Sequence, residues 1–152
     1  MSKTLIAYYS WSGTTKRLAE RIHKLLPDST LLELTVAPGI FSRDMYKTAD
    51  IAKQQMRAGE LPQLTNQLPD LTDYDLVLVG GPVWTYSPST PVLSFLHALG
   101  DYAGKVAPFY TSVGNNGDYE RQFADENPQL RVLTGNDNGK NLKNWLEELE
   151  EE

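Results

Sequence analysis

The stretch "YYSWSGTTKRLAERI", Tyr8–Ile22, decides the fold. It follows the apolar run "KTLIA", so a strand-like segment passes straight into a helix-like one. Thr14 to Leu26 places Leu18, Ile22, Leu25 and Leu26 on one helical face. Between strand and helix, five of the six positions from Ser10 to Thr15 are Ser, Thr or Gly. A single cap residue would satisfy a helix start, so the crowding asks for a second reason. A helix N-terminus presents unpaired backbone N–H groups and a partial positive charge. Gly13 lets the backbone approach a ligand closely. Ser10, Ser12, Thr14 and Thr15 add hydroxyls, and together these groups suit a phosphate held by neutral donors.

Working outward, the same strand-then-helix order recurs. "TLLELTV" (Thr30–Val36) reads as a second strand, and Asp44–Gly59 as a helix with Met45, Ala49, Ala52 and Met56 as its stripe. "LVLVGG" (Leu76–Gly81) is apolar on both faces and reads as a strand covered on both sides. "PVWTYSPST" reads as a loop, after which Thr90 caps a helix opening on Pro91. "KVAPFYTS" (Lys105–Ser112) reads as a strand although it contains Pro108, which cannot donate to a ladder. A helix near Tyr119–Glu126 follows, then a strand in "LRVLT", then a helix over Lys140–Glu150 with Leu142, Trp145, Leu146 and Leu149 facing inward. Asp118 reads as the cap of the helix at Tyr119. Five strand–helix alternations predict an α/β fold: a three-layer, doubly wound, five-stranded parallel sheet. Its expected strand order is 2-1-3-4-5, with the ligand site at the carboxyl ends of the strands. The 152 residues read as one domain, 1–152, without repeat or linker.

Composition narrows the chemistry. There is no cysteine, which removes disulfides, thiolate metal sites and Cys nucleophiles together. The formal charge is −6, and the tail "WLEELEEE" carries five of the acids, leaving −1 for the rest. Nothing resembles a basic stripe, so nucleic acid is not expected as a partner. No apolar run reaches the ~20 residues of a membrane span, and no secretory leader is apparent. A cytoplasmic protein is expected. His23 and His97 fall on polar helix faces and read as surface residues. No metal-ligand cluster and no nucleophile–base pair is present, so neither a metal nor a catalytic side chain is expected.

"SWSGTTK" is not a Walker loop, because the first glycine and its spacing are missing, and one glycine does not make a dinucleotide fingerprint. A phosphoacceptor domain would need acids at the end of the first strand, where Tyr8, Tyr9 and Ser10 stand. The stretch does resemble the phosphate loop of flavodoxins and short flavodoxin-like proteins, Ser/Thr-x-Ser/Thr-Gly-x-Thr. "LPDLTDYDLVLVGGPVWTYSPSTPVLSFL" and "GKVAPFYTSVGNNGDYERQF" are similar to that family's third strand and fourth strand with their flavin loops. The resemblance spans nearly the whole chain and implies a flavodoxin-like fold that binds FMN. It implies that Ser10, Trp11, Ser12, Gly13, Thr14 and Thr15 hold the phosphate. It further implies that Pro82, Val83 and Trp84 line the isoalloxazine, with Trp84 the foremost stacker and Tyr86 the second. Thr111, Ser112, Val113 and Gly114 then border the ring's other side or its pyrimidine edge. The position of Trp11 leaves two roles open, covering the ribityl phosphate or presenting an aromatic to a partner.

The expected function is an FMN-binding redox protein in electron transport, its partner a redox protein or a small electron acceptor. The alternative is a small FMN-dependent oxidoreductase passing electrons from NAD(P)H to a quinone or other acceptor. "PVWTYSP" has no glycine and no acid, which points to a stiff flavin loop and weak stabilisation of one-electron-reduced flavin. A monomer or homodimer is expected.

Overall fold

The computed structural model describes residues 3–152 except 113 and 115. The chain runs β1 (Thr4–Tyr8), α1 (Thr14–Leu25), β2 (Thr30–Glu33), α2 (Met45–Ala58), a 3₁₀ turn (Leu71–Asp73) and β3 (Leu76–Trp84). It continues through β4 (Ser87–Pro88), α3 (Thr90–Leu99), β5 (Lys105–Thr111), α4 (Tyr119–Glu126), β6 (Arg131–Val132), β7 (Asn136–Asp137) and α5 (Leu142–Glu151). Among the described residues no helix is long and apolar enough to cross a membrane.

The sheet order is β2-β1-β3-β5-β6, with β4 beside β3 and β7 beside β5. β1, β2, β3, β5, β6 and β7 pair in parallel; β4 alone is antiparallel. The five core positions therefore follow the expected order. Alternation along the strands divides the core. Leu5, Ala7, Val77 and Val79 meet α3 and α4 on one face, while Ile6, Tyr8, Leu76 and Leu78 meet α1 and α5 on the other. Trp145 lies in this second core, as its stripe requires, and its Nε1 donates to the Thr134 carbonyl at 2.8 Å.

The fifth position departs from expectation, and Pro108 explains how. "LRVLT" forms the short strand β6, and a second short strand, β7, follows it at the same edge. β6 pairs with Lys105 and Val106, β7 pairs with Phe109 and Tyr110, and the edge strand is broken between them. Val106 and Tyr110 accept from Leu133 and Asn138 across this edge. Pro108 shares their orientation, so its missing N–H falls opposite the break, where no ladder bond is called for. Gly135 fills the gap: a Cβ there would lie 2.8 Å from Pro108 Cγ and 2.9 Å from Pro108 O. The Glu120 carboxylate closes the patch, accepting from the Gly135 N–H at 2.7 Å and from the Tyr110 hydroxyl at 2.6 Å.

Four further expectations are corrected. "PVWTYSPST" is not all loop: β3 runs on to Trp84 and turns into β4 through Thr85 and Tyr86. Ser89, not Thr90, occupies the cap position of α3; Thr90 Oγ1 instead donates to Gln55 Oε1 at 2.6 Å. Asp118 stands at the start of α4 but makes no side-chain cap bond, because its carboxylate pairs with Arg121 at 2.8 Å. α2 turns Thr48 and Ala52 inward and leaves Met45 and Met56 exposed. Leu61, Leu64, Leu68 and Leu71 of the following segment pack against the same core as Ala52. His97 is exposed and faces Glu126 at 3.5 Å, whereas His23 is half-buried, its Nδ1 2.8 Å from Ser29 Oγ.

The acidic end of α5 meets cations where its carbonyls are unpaired. Lys105 Nζ donates to the Leu149 carbonyl at 3.0 Å and Arg131 Nη2 to the Glu152 carbonyl at 2.6 Å. Both offset the negative end of the helix dipole.

Gly135→Ala forces a methyl against backbone that cannot yield, so it should destabilise the chain by about 1–3 kcal/mol. Urea unfolding followed by circular dichroism measures this, and an unchanged midpoint would remove the close approach as the reason for the broken strand.

Candidate cofactor site

Parallel register brings the ends of β1, β3 and β5 to one level, with Tyr8 beside Gly80 and Gly80 beside Phe109. Three loops therefore leave the sheet at the same edge: residues 10–13, 85–86 and 112–118. A buried hydrogen bond joins the first to the third, Thr15 Oγ1 to Thr111 Oγ1 at 2.9 Å. Gln122 Nε2 of α4 donates to the Tyr86 carbonyl at 3.0 Å and so ties the second to the third.

The first loop is built as an anion cradle. Gly13 precedes α1 at φ 97°, a left-handed conformation in which a side chain is strained. Ser10 Oγ accepts from the N–H groups of Gly13 at 3.0 Å and Lys16 at 3.2 Å. Ser10 thus shapes the turn. The backbone N–H groups of Ser12, Thr14 and Thr15 have no acceptor among the described residues. The Ser12 and Thr14 hydroxyls lie 3.4 Å apart on the exposed side. Arg17 Nη2 reaches Thr14 Oγ1 at 3.3 Å and stays on the rim. The donors left free in the turn are neutral backbone N–H and hydroxyl groups, with the Arg17 guanidinium beside them, a set that fits a phosphate monoester. Thr15 belongs to the cradle through its backbone only, because its side chain is committed to Thr111.

Trp11 acquires a definite place. It is half-buried against the first core, and its Nε1 donates to the Ser42 carbonyl at 2.9 Å. The same carbonyl accepts from Thr48 Oγ1 at 2.7 Å, so Trp11 ties the cradle to the segment entering α2.

The second loop is a two-residue hairpin turn. Thr85 and Tyr86 have φ of 51° and 64°, the left-handed pair that such turns require. Glycine or asparagine usually supplies it; a β-branched residue there carries about 1–3 kcal/mol of strain. Trp84 is 3% exposed and packs edgewise on Tyr9 and Phe41, at centroid separations of 5.7 and 5.0 Å. Its buried Nε1 has no hydrogen-bond partner among the described residues. Tyr86 is 58% exposed and is the ring of this turn open to a ligand. Pro82 and Val83 are half-buried within β3. Burial pushes the Tyr9 hydroxyl up to about 12, so the cluster behind the turn is uncharged at neutral pH.

In the third loop, Thr111 is buried, Ser112 half-buried and Gly114 exposed. Ser112 Oγ donates to the Gly114 carbonyl at 3.3 Å and contacts Asn116 Oδ1. Val113 lies outside the described residues. The sequence reading missed Asn138 and the segment from Phe41 to Asp44. Asn138 Oδ1 accepts from the Ser112 N–H at 2.8 Å. Its signal was the Asn-Gly pair at 138–139, a turn dipeptide at the same sheet edge. Two roomier clefts, of about 580 and 710 Å³, lie elsewhere, beside Leu61 and His97 and beside Tyr74 and Tyr102. Neither contains a residue of the three loops, so volume alone does not mark this site.

The sequence model of the family described as flavodoxin matches residues 3–149. No functionally curated protein matches the chain. A flavoprotein from Lactobacillus acidophilus NCFM, solved in complex with FMN, is 39% identical with a TM-score of 0.90, over 96% of this chain and 99% of that one. The apo-form of the flavoprotein from Lactobacillus acidophilus NCFM, solved by NMR, is 40% identical with a TM-score of 0.77, over 95% and 97%. A flavodoxin from the domain Archaea is 17% identical with a TM-score of 0.59, over 93% and 92%, a likeness of fold alone.

Thr15→Val should leave the Thr111 hydroxyl buried and unpaired, at a cost of about 1–3 kcal/mol. Adding Thr111→Val should recover most of that loss. Urea unfolding of the two single variants and the double variant closes the cycle, and additive losses would mean that the two hydroxyls do not interact.

Proposed function

The chain belongs to the flavodoxin family, and on that premise we propose that it holds FMN at this sheet edge and carries electrons between redox partners. The observation that carries the reading is the cradle at the start of α1, with three unclaimed backbone N–H groups and no charged donor within the turn. Bound FMN would supply the redox chemistry, and the protein supplies position and electrostatics. Ser12, Thr14 and Thr15 would hold the phosphate through backbone N–H groups, with the Ser12 and Thr14 hydroxyls beside them. A neutral donor set suits a phosphate that stays bound and is never transferred.

Tyr86 would face the ring system, and its hairpin would fix the ring's approach. The hairpin is held by pairing of Val83 with Pro88 and Trp84 with Ser87. Gln122 anchors its tip. With no glycine in the turn, the peptide beside the ring has little freedom to flip as the flavin's charge changes. Trp84, Tyr9 and Phe41 exclude water from behind it. We place the protein in the cytoplasm, consistent with its cysteine-free chain.

Two measurements test this reading. FMN should bind one-to-one, with its fluorescence quenched on titration, and Ser12→Asp should weaken binding about tenfold or more by setting a carboxylate against the phosphate. No uptake by the parent chain, or unchanged affinity in the variant, would overturn the assignment. Anaerobic photoreduction should pass from oxidised to fully reduced flavin without new absorbance beyond the oxidised band. A large persistent long-wavelength band would refute the stiff-turn argument. Rapid steady-state oxidation of NADPH with a quinone would assign a reductase instead of a carrier.

A further inference from the structure

α2 is placed differently from the other helices. It is fourteen residues long yet buries only Thr48 and Ala52. Met45, at 48%, and Met56, at 44%, are exposed at the two ends of the stripe that carries Thr48 and Ala52; Tyr46, at 84%, stands on the outer side, and the 58% exposed Tyr86 stands on the neighbouring hairpin. Ser87 Oγ lies 3.9 Å from Met56 Sδ, so helix and hairpin form one continuous surface. Exposed Met and Tyr are the side chains that association rewards most, since they bury large area against adaptable partners.

The charge of this face runs against that of the chain. The formal total is −6, yet residues 43–57 carry Arg43, Lys47, Lys53 and Arg57 against only Asp44 and Asp50. All four cations are exposed, and none forms an ion pair among the described residues. Asp44 is occupied at the start of α2, where its carboxylate accepts from the N–H groups of Tyr46 at 2.8 Å and Lys47 at 3.3 Å. The net character of the outer side is cationic, with the exposed Tyr46 among the charges and Met56 at its border. The face also adjoins the cofactor edge, through Trp11 on Ser42 and Phe41 on Trp84.

We propose that the outer face of α2 and the tip of the β3–β4 hairpin dock an electron-transfer protein that presents acidic side chains. The partner's role as an electron carrier rests on the function proposed above; the charge and apolar character of the face do not. Cationic side chains around a cofactor edge steer an acidic partner and suppress a basic one. A protein fits better than a dinucleotide. The cleft between α2 and the hairpin, lined by Lys53, Met56, Arg57 and Trp84, holds only about 250 Å³. Ligand pockets usually begin near 300 Å³. The cations are instead spread along a helix about 21 Å long, a span suited to a protein surface.

The test uses the ¹⁵N-labelled full chain, with and without FMN, and a sixteen-residue poly-glutamate peptide as the probe. FMN uptake is read at the amides of residues 10–15, and peptide binding at residues 43–57. The peptide should shift the second set in both samples, and salt should abolish the shifts. The double variant Lys53→Glu/Arg57→Glu should lose them while still taking up FMN. Failure of the first set alone sinks the flavin reading, and failure of the second sinks this proposal. In the photoreduced, FMN-loaded protein, two hexacyanoferrate(III) ions each take one electron per reduced flavin, and the released protons pass to buffer. That rate should fall about threefold or more between low and physiological salt in the parent, and rise with salt in the double variant. Shifts centred elsewhere overturn the proposal. So does a duplex DNA or NADPH that moves the same amides at lower concentration than the peptide.

Discussion

β1, β3 and β5 are parallel and buried on both faces, and the hydrogen bond between Thr15 and Thr111 joins α1 to the end of β5 at their common edge. Parallel pairing sends every carboxyl end the same way, so the turn at residues 10–13, the hairpin tip and the loop after β5 have no other place to go. A neutral phosphate cradle is useful only if the groups that meet the rest of the cofactor stand at a set distance from it. Register along the strands provides that distance, and Thr15 holds it by spending its hydroxyl inward while its N–H faces out.

Pro108 and Gly135 belong to the same construction. A proline inside a central strand would ordinarily orphan an acceptor on the neighbouring strand. Here the neighbour is interrupted at that level, and Gly135 lets the backbone close on the proline ring. The interruption has a second effect. When pairing resumes at β7, it delivers Asn138 to the third loop, where it accepts from Ser112. An accommodation in the sheet thereby becomes support for the site. The stacked Tyr110 and Tyr119, 4.3 Å between centroids, and the Tyr110–Glu120 hydrogen bond hold α4 against the strand that carries the loop.

Much of the fold can be read along the chain, since its strong signals are local. α1, α4 and β5 begin and end close to where periodicity and turn residues place them. The turn before α1 was readable for the same reason, since its hydroxyl and glycine positions are neighbours in the chain. The hairpin was not, because Thr85 and Tyr86 adopt left-handed backbone that neither residue favours and no glycine announces. Trp84 was expected as the foremost ring partner of the flavin, yet Tyr9 and Phe41, distant in sequence, enclose it at 3% exposure. The indole of Trp11 was unassignable without knowing that Ser42 would lie beside it.

α2 marks the division most clearly. Its amino-acid sequence determined that a helix forms there, with Asp44 at its start and Gly59 at its end, since capping and periodicity act within a few residues. Which side of that helix faces the core was decided by packing across the whole chain. Leu61, Leu64, Leu68 and Leu71 of the following segment pack against the same core that Ala52 joins. Burial depends on which segment reaches a surface, a non-local competition that a helix's own pattern does not encode. The tertiary structure thus kept Ala52, in the middle of the stripe, against the core and left the two methionines at its ends exposed.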